Sequence, residues 1–427
     1  MIPAHAMKEK VSVWFLALDI LAALLSLLLF FWNVAANVWA TLSFYYEQKY
    51  LFMGVFLFLI ISSSVLLQIF SWLWYSDSSE KITSNIERFM KEHELLGLVH
   101  ILQLGVFLRC LGMLELSISR FKKKDTSQNQ DTESLSYDLS TLGLFKAFSE
   151  SAPQIVLMTT NIIQMEDCQP FTVIKILSSL SSLSFTVLSY HRTMCAFVPE
   201  KLRMGWTSSI IYFLWNLLLI GPRVMCVSLF ASTLPCYVPA HFLSVWMLLV
   251  IWVWWQNTDL MNNKDMEWLN RATVGLIWYF SWLNVNGKHG NKNNSGWTKY
   301  KGTIYNMVIG MDMMLLLGLY WWRRSVESAR LSPLPLNLYL LLAMLMFIYI
   351  IGVLLKMFYY WKFHSKQPDL WIDEKDEELQ MKPQVQGYDI VDSSQKPESA
   401  LTFSSPTQRS MDGLHKRMRY MAVNFYC

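Results

Sequence analysis

Apolar residues in this chain neither alternate nor recur on a single face; they come in unbroken runs. Five runs reach twenty residues or more, at 11–45, 51–74, 171–190, 210–234 and 334–361. As helices, such runs are long enough to cross a hydrocarbon core of about 30 Å. Five further apolar segments, at 95–116, 139–163, 242–255, 268–283 and 304–322, bring the total to ten. The short alternating strands of a closed β-barrel are missing from the pattern. The pattern predicts an all-α polytopic membrane protein.

Composition supports this without refining it. The chain has 427 residues, of which 53% are hydrophobic and only 16% charged. Its 19 Trp and 19 Tyr gather toward segment ends, at headgroup depth. A net charge of +4 is too small to argue for nucleic acid. Six cysteines without a CxxC pair exclude a disulfide framework and a zinc knuckle. The first apolar run is too long for a cleavable signal and no A-x-A site closes it, so the first helix is expected to remain as an anchor.

Charge between the segments sets the expected topology. Lys81, Arg88 and Lys91 precede the 95–116 segment, and Arg120, Lys122, Lys123 and Lys124 follow it. Both connections read as cytoplasmic, which makes 95–116 a re-entrant helix or hairpin. "QMEDCQP" and "PCYVPAH" carry no Lys or Arg and read as external, whereas "HRTMCAFVPEKLRMGW" is basic and reads as internal. The same counting makes 268–283 re-entrant. The expectation is eight spans, two re-entrant pieces and both termini in the cytoplasm. Arg323, Arg324 and Arg330 then fall outside, against the positive-inside bias. The order span, span, re-entrant, span, span occurs twice, which predicts two pseudo-symmetric halves, 1–200 and 201–364, followed by a tail, 365–427. Irregular backbone at membrane depth is tolerated where it lines a wet cavity, so a polar groove is expected between the halves.

The ionisable residues singled out inside the runs are Asp19, Lys146, Glu150, Arg223 and Asp312, with Arg192 at the inner end of its span. Each costs roughly 2.5–3.5 kcal/mol at a helix centre, which argues against lipid-facing placement. Asn33 and Asn37, four apart, share a helix face, and Gln68 is expected at similar depth in the next span. Lys146 and Glu150 are also four apart and expected within reach of each other. In "SAPQ", Pro153 and Gln154 predict a helix break beside Glu150. Arg223, after Gly221 and Pro222, must meet a carboxylate or a lipid phosphate. Single charges of this kind often lock helices together; a set carrying both signs fits a groove for zwitterions. No GxSxG, GxxxxGK[ST], HExxH or GxGxxG occurs, so neither an enzyme nor a cofactor or metal is expected.

"LLGLVHILQLGVFLRCLGMLE", "FSESAPQIVL", "SSIIYFLWNLLLIGPRVMCVSLFASTLPCYVPAHFL" and "WVWWQNTDLMNNKDMEWLNRATVGLIWYFSWLNV" resemble the XK-related family. The resemblance implies a phospholipid scramblase of the plasma membrane, activated when an executioner caspase cuts its cytoplasmic tail. Phosphatidylserine would then be exposed on apoptotic cells as an engulfment signal. It makes Asp19, Glu150, Arg192, Arg223 and Asp312 the charges of a lipid path, to which the spacing of the polar residues adds Asn33, Asn37 and Lys146. It also implies a single-span immunoglobulin-type chaperone as partner. One departure stands out: the family's first span looks like D-x-x-x-D, where this chain has "NVAAN". The alternative reading is a non-scrambling accessory or transport subunit whose charges bind a partner protein.

After residue 364 the composition turns polar and charged, the signature of a flexible tail. Within it, "DIVD" places Asp389 and Asp392 three apart in P4 and P1, with the small Ser393 after them. A basic pocket that holds the P1 carboxylate selects Asp. "DEKD", ending at Asp376, is followed by Glu377, a poor successor. Farther on, "LHKRMRYMAVNFYC" mixes basic and bulky apolar residues, suited to an anionic leaflet or a cytoplasmic plug. Cys168 and Cys236 both fall in connections read as external, where a disulfide is open to them.

Overall fold

The computed structural model describes residues 4–77, 84–123, 129–165, 170–196, 205–256, 264–283, 295–326 and 338–364. All of its regular structure is helical, and the described residues of the ten apolar segments lie mostly on helices. We number the α-helices in chain order: α1 Ala4–Tyr46, α2 Tyr50–Asp77, α3 Asn85–Glu92, α4 Leu96–Ile101, α5 Gly105–Lys123, α6 Asn129–Lys146, α7 Ala152–Met165, α8 Pro170–Ala196, α9 Trp206–Thr233, α10 Val238–Trp255, α11 Lys264–Phe280, α12 Ser295–Val326 and α13 Leu338–Tyr359. A π-helical turn, Ala147–Ser151, joins α6 to α7, and a second, Tyr360–His364, follows α13.

Five helices among the described residues are long and apolar enough to cross a membrane, within 50–75, 206–233, 235–255, 301–326 and 339–362. The protein is therefore a helical polytopic membrane protein. The rod formed by α6, the π turn and α7 is not among the five. It gives its length to Ser, Thr, Lys146 and Glu150 rather than to uninterrupted apolar residues.

The 95–116 segment is not one helix. It is a short helix, α4, a turn at 102–104, and the longer α5. Gln103 takes φ 64° in that turn, a left-handed conformation that a side chain disfavours. Its neighbours hold it there: Gly105 N–H, at the start of α5, donates to Gln68 Oε1 on α2 across 3.0 Å. Gln68 thus serves the entry to α5 and makes no hydrogen bond to Asn33 or Asn37.

Helix α9 is the centre of the bundle. In its most apolar window 61% is buried, against 17–33% in the other four crossing helices. It packs against α13, α7, α12 and α8. The apolar core runs through Phe148 of the π turn, Trp215 and Ile220 of α9, Trp278 of α11 and Leu316 of α12. Around it, α1 lies on α5 and α2, and α10 lies on α11. The stacked rings of Phe148 and Phe280, 6.3 Å apart, bring the π turn against the end of α11. Charged side chains at membrane depth are thereby carried on helices fixed by a large aromatic core.

Candidate functional site

The stretch "FKAFSESAPQ" forms the first cluster. A helix expected to break at Pro153 instead widens: Ala147–Ser151 adopt the π turn and α7 continues from Ala152. Proline lacks an N–H, and a wider turn lets the chain pass it without ending the helix. The same widening corrects the expected Lys146–Glu150 contact. Residues four apart face one another at 3.6 residues per turn, but not where bonding runs i to i+5. Neither side chain pairs with the other.

Both reach α1 instead. Lys146 Nζ donates to Asn33 Oδ1 across 2.8 Å, and Asn37 Nδ2 donates to Glu150 Oε1 across 2.8 Å. Asn37 Nδ2 also approaches Asn33 Oδ1 at 3.4 Å. The four side chains form a row in which one amide accepts from the cation and the next donates to the anion. An amide offers both a donor and an acceptor, so the pair matches both signs without carrying charge. Glu150 is buried, and the other three are partly exposed. Around the row on α1, Trp32 is 73% and Trp39 72% exposed, with Val34 and Val38 also open. Below it, Ser149 and Ser63 bond across 2.6 Å. Gln154 is buried, and its Nε2 has no hydrogen-bond partner.

The second cluster is built on α9. Arg223 is fully buried, and its Nη1 donates to Asp312 Oδ2 on α12 across 2.5 Å. Of the two partners open to it from sequence, the structure supplies the carboxylate. Arg223 Nε donates to the Tyr279 carbonyl across 3.1 Å, and the guanidinium lies 4.6 Å from the Tyr279 ring centre. His241 Nε2 meets the other Asp312 oxygen at 3.0 Å, and its Nδ1 faces the Tyr279 hydroxyl at 3.2 Å. Asp312 therefore holds one group on each oxygen, while Arg223 Nη2 is buried with no partner.

Hydrogen bonds and ion pairs among the described residues join each cluster internally and do not link one to the other. Arg192 is exposed in the last turns of α8, apart from both. Asp19 lies on α1, and its side chain is outside the described residues, as are Asp389, Asp392 and Ser393. Cys236 is a free, exposed thiol; Cys168 also lies outside the description.

A third network, which sequence reasoning missed, ties α2, α3, α5 and α6 together. Arg109 is buried and donates from Nη1 to Asp138 across 2.7 Å, from Nε to Ser71 Oγ across 3.0 Å and from Nη2 to the Ser71 carbonyl across 3.1 Å. Its guanidinium lies 4.2 Å from the Tyr75 ring centre, and the Tyr75 hydroxyl donates to Glu87 across 2.7 Å. Glu87 sits on α3, where burial pushes its carboxyl above the ordinary range. The Tyr75 hydrogen bond and Arg109 oppose that shift. His241 and Tyr279 were missed as well. One histidine inside "PCYVPAH" gives no signal until a partner is known.

A family model described as XK-related protein matches residues 21–365. The chain is 35% identical over 419 residues to XK-related protein 8 of Tetraodon nigroviridis, covering 96% of both chains. It is 36% identical over 347 residues to XK-related protein 8 of Gasterosteus aculeatus, covering 79% of this chain and 80% of the relative. Against XK-related protein 8 of Pan troglodytes it is 33% identical over 348 residues, covering 81% and 84%.

Proposed function

The chain belongs to the XK-related family, and from that premise we propose that it is a phospholipid scramblase of the plasma membrane. In this reading it crosses the bilayer eight times, with two re-entrant pieces in two pseudo-symmetric halves and both termini in the cytoplasm. Caspase cleavage after Asp392 releases it, and phosphatidylserine reaches the outer leaflet. A single-span immunoglobulin-type chaperone accompanies it.

The observation that carries the reading is the row Lys146, Asn33, Asn37, Glu150. Cation and anion are held by neutral amides rather than by each other, so neither charge is cancelled by the other, and Lys146 is partly exposed while Glu150 is buried behind Asn37. A phosphate meets Lys146 and an amine meets Glu150 through charge-assisted hydrogen bonds. The exposed Trp32 and Trp39 flank the row, so acyl chains remain in lipid while the headgroup travels beside them. Such movement breaks no covalent bond and needs no energy source.

The accessory-subunit reading draws on the second cluster. Arg223 and Asp312 are engaged with each other and with Tyr279 and His241, as charges that only hold helices together would be. Purified protein in liposomes with fluorescent lipid separates the two readings. Dithionite quenching that exceeds the outer-leaflet fraction only after caspase treatment supports the scramblase; quenching confined to that fraction under both conditions supports the accessory subunit.

A further inference from the structure

The bonds from Lys146 to Asn33 and from Asn37 to Glu150 set a register between α1 and the rod that contains α6. Earlier pairs with earlier and later with later, so the two run in the same direction past each other. They form a ladder with two polar rungs. Beyond Asn37 and Glu150 the ladder runs into apolar packing. Ala40 and Phe44 of α1 are buried with Phe56 of α2, and Leu157 and Met158 of α7 pack onto them. That end of the row is closed.

The other end is not. One turn before Asn33 and Lys146, the register sets Phe30 opposite Gly143. Gly143 precedes Lys146 by three residues, which puts both on one face of α6. Its neighbours Leu142 and Leu144 are each 1% exposed, whereas Gly143 is partly exposed. Apart from its own stretch of helix, no heavy atom lies within 4 Å of where its Cβ would stand. Phe30 leaves the space unfilled because its ring turns to Phe107 on α5, 5.8 Å away, where Phe31 also packs at 5.7 Å. The Phe30 ring still lies 5.9 Å from Lys146 Nζ. Glycine inside a helix costs stability, and neither a positive φ nor a close approach calls for one here. What it leaves is an opening beside the cation of the row.

We propose that the opening at Gly143, opposite Phe30, is the mouth through which a phospholipid headgroup enters the row, meeting Lys146 first. This rests on the scramblase reading and gives it a direction. With the start of α1 in the cytoplasm, as in that reading, the open end faces the leaflet that carries anionic lipid. The ammonium beside the mouth draws in the phosphoryl oxygens. Glu150, buried one rung deeper, receives the amine afterwards. Gly143 limits what passes, since a side chain there projects between α6 and α1.

The test is lipid transport by the purified full-length protein in liposomes after caspase treatment, read by dithionite quenching of fluorescent phosphatidylserine. The melting temperature of each variant is measured beside it. Loss of rate is expected to grow with side-chain size from Gly143→Ala to Gly143→Leu, reaching about tenfold in the latter. Gly143→Leu is expected to melt at or above wild type, because leucine favours a helix more than glycine does. That split separates a blocked mouth from a damaged fold. If Gly143→Leu melts lower, Gly143→Cys supplies the block after folding: benzyl methanethiosulfonate is expected to slow this variant and not wild type. Wild-type transport by Gly143→Leu, or by the benzylated Gly143→Cys, overturns the mouth and leaves the scramblase reading standing. Wild-type protein that moves no lipid after caspase treatment overturns both.

Discussion

Asn37 on α1 donates to Glu150, 113 residues away, across 2.8 Å. The direction of that bond makes the two amides of α1 unequal. Asn33 accepts from Lys146, so a carboxylate in its place gains an ion pair; Asn37 faces a carboxylate, so an acid in its place creates a repulsion. Asn33→Asp is expected to express and scramble near the wild-type level. Asn37→Asp is expected to lose about 1–3 kcal/mol and with it surface protein and activity. Annexin V binding after a caspase trigger, read beside surface labelling, checks both. Equal effects of the two substitutions would show that the amides do not discriminate.

The paired swap Lys146→Glu with Glu150→Lys follows from the same geometry. An amide that rotates by half a turn exchanges donor for acceptor, so Asn33 and Asn37 can hold the swapped charges. Surface expression is therefore expected to survive the swap. Scrambling is expected to stay low, because the charges that a headgroup meets arrive in reverse order. Full activity in the double variant would reduce the row to a structural clamp.

The contrast between spacing and outcome shows how far the sequence could be read. Runs of apolar residues placed the long helices because burial and lipid exposure both demand them, whereas the polar α3, Asn85–Glu92, fell in a connection. Asn33 and Asn37 were legible as one face because α1 keeps the ordinary period there. Lys146 and Glu150 were legible as site residues but not as partners, since the π turn changes the period that i, i+4 reasoning assumes. Arg109 and His241 were illegible for a different reason. A single polar residue barely alters an apolar average, and their partners, Asp138 and Asp312, lie far away in the chain.

Arg223 is expected to behave as half of a buried pair. Removing one partner leaves a charge in the interior, at a cost of about 3–5 kcal/mol. Arg223→Ala should therefore deplete surface protein, and Arg223→Met with Asp312→Leu should restore much of it. Melting temperatures of the purified variants check this. If the double variant is no more stable than the single, the Arg223–Asp312 contact is not what the single substitution breaks.

Glu87 makes stability depend on pH. Burial raises its folded-state pKa above the ordinary glutamate value of about 4.3. The folded protein then holds this proton more tightly than the unfolded chain does. The stability it contributes is complete below that ordinary value and is lost as pH rises through the folded-state value. Glu87→Gln keeps an acceptor for the Tyr75 hydroxyl and removes the charge. It is expected to melt higher than wild type at neutral pH, by the equivalent of roughly 1 kcal/mol, with the gap closing toward pH 4. A gap that widens with acid would reverse the assignment.

The tail carries the features of a protease-released brake. On the proposed reading Asp389 and Asp392 supply P4 and P1, and Ser393 is small enough to follow the cut. Cleavage there removes 393–427, including the basic and aromatic residues from Leu414 to Tyr426. Those residues suit the negative surface of the inner leaflet or the mouth of the bundle, at about 1 kcal/mol for each cation near an anionic surface. Losing them is expected to shift the balance between closed and open states while altering no residue in the row or in the Arg223 cluster. Asp392→Ala is expected to stay silent in caspase-treated cells, and a chain ending at Asp392 to scramble without caspase or after one further signal. Annexin V binding reads both. A silent truncation under both conditions, or an Asp392→Ala protein that still responds, would place the brake elsewhere in the chain.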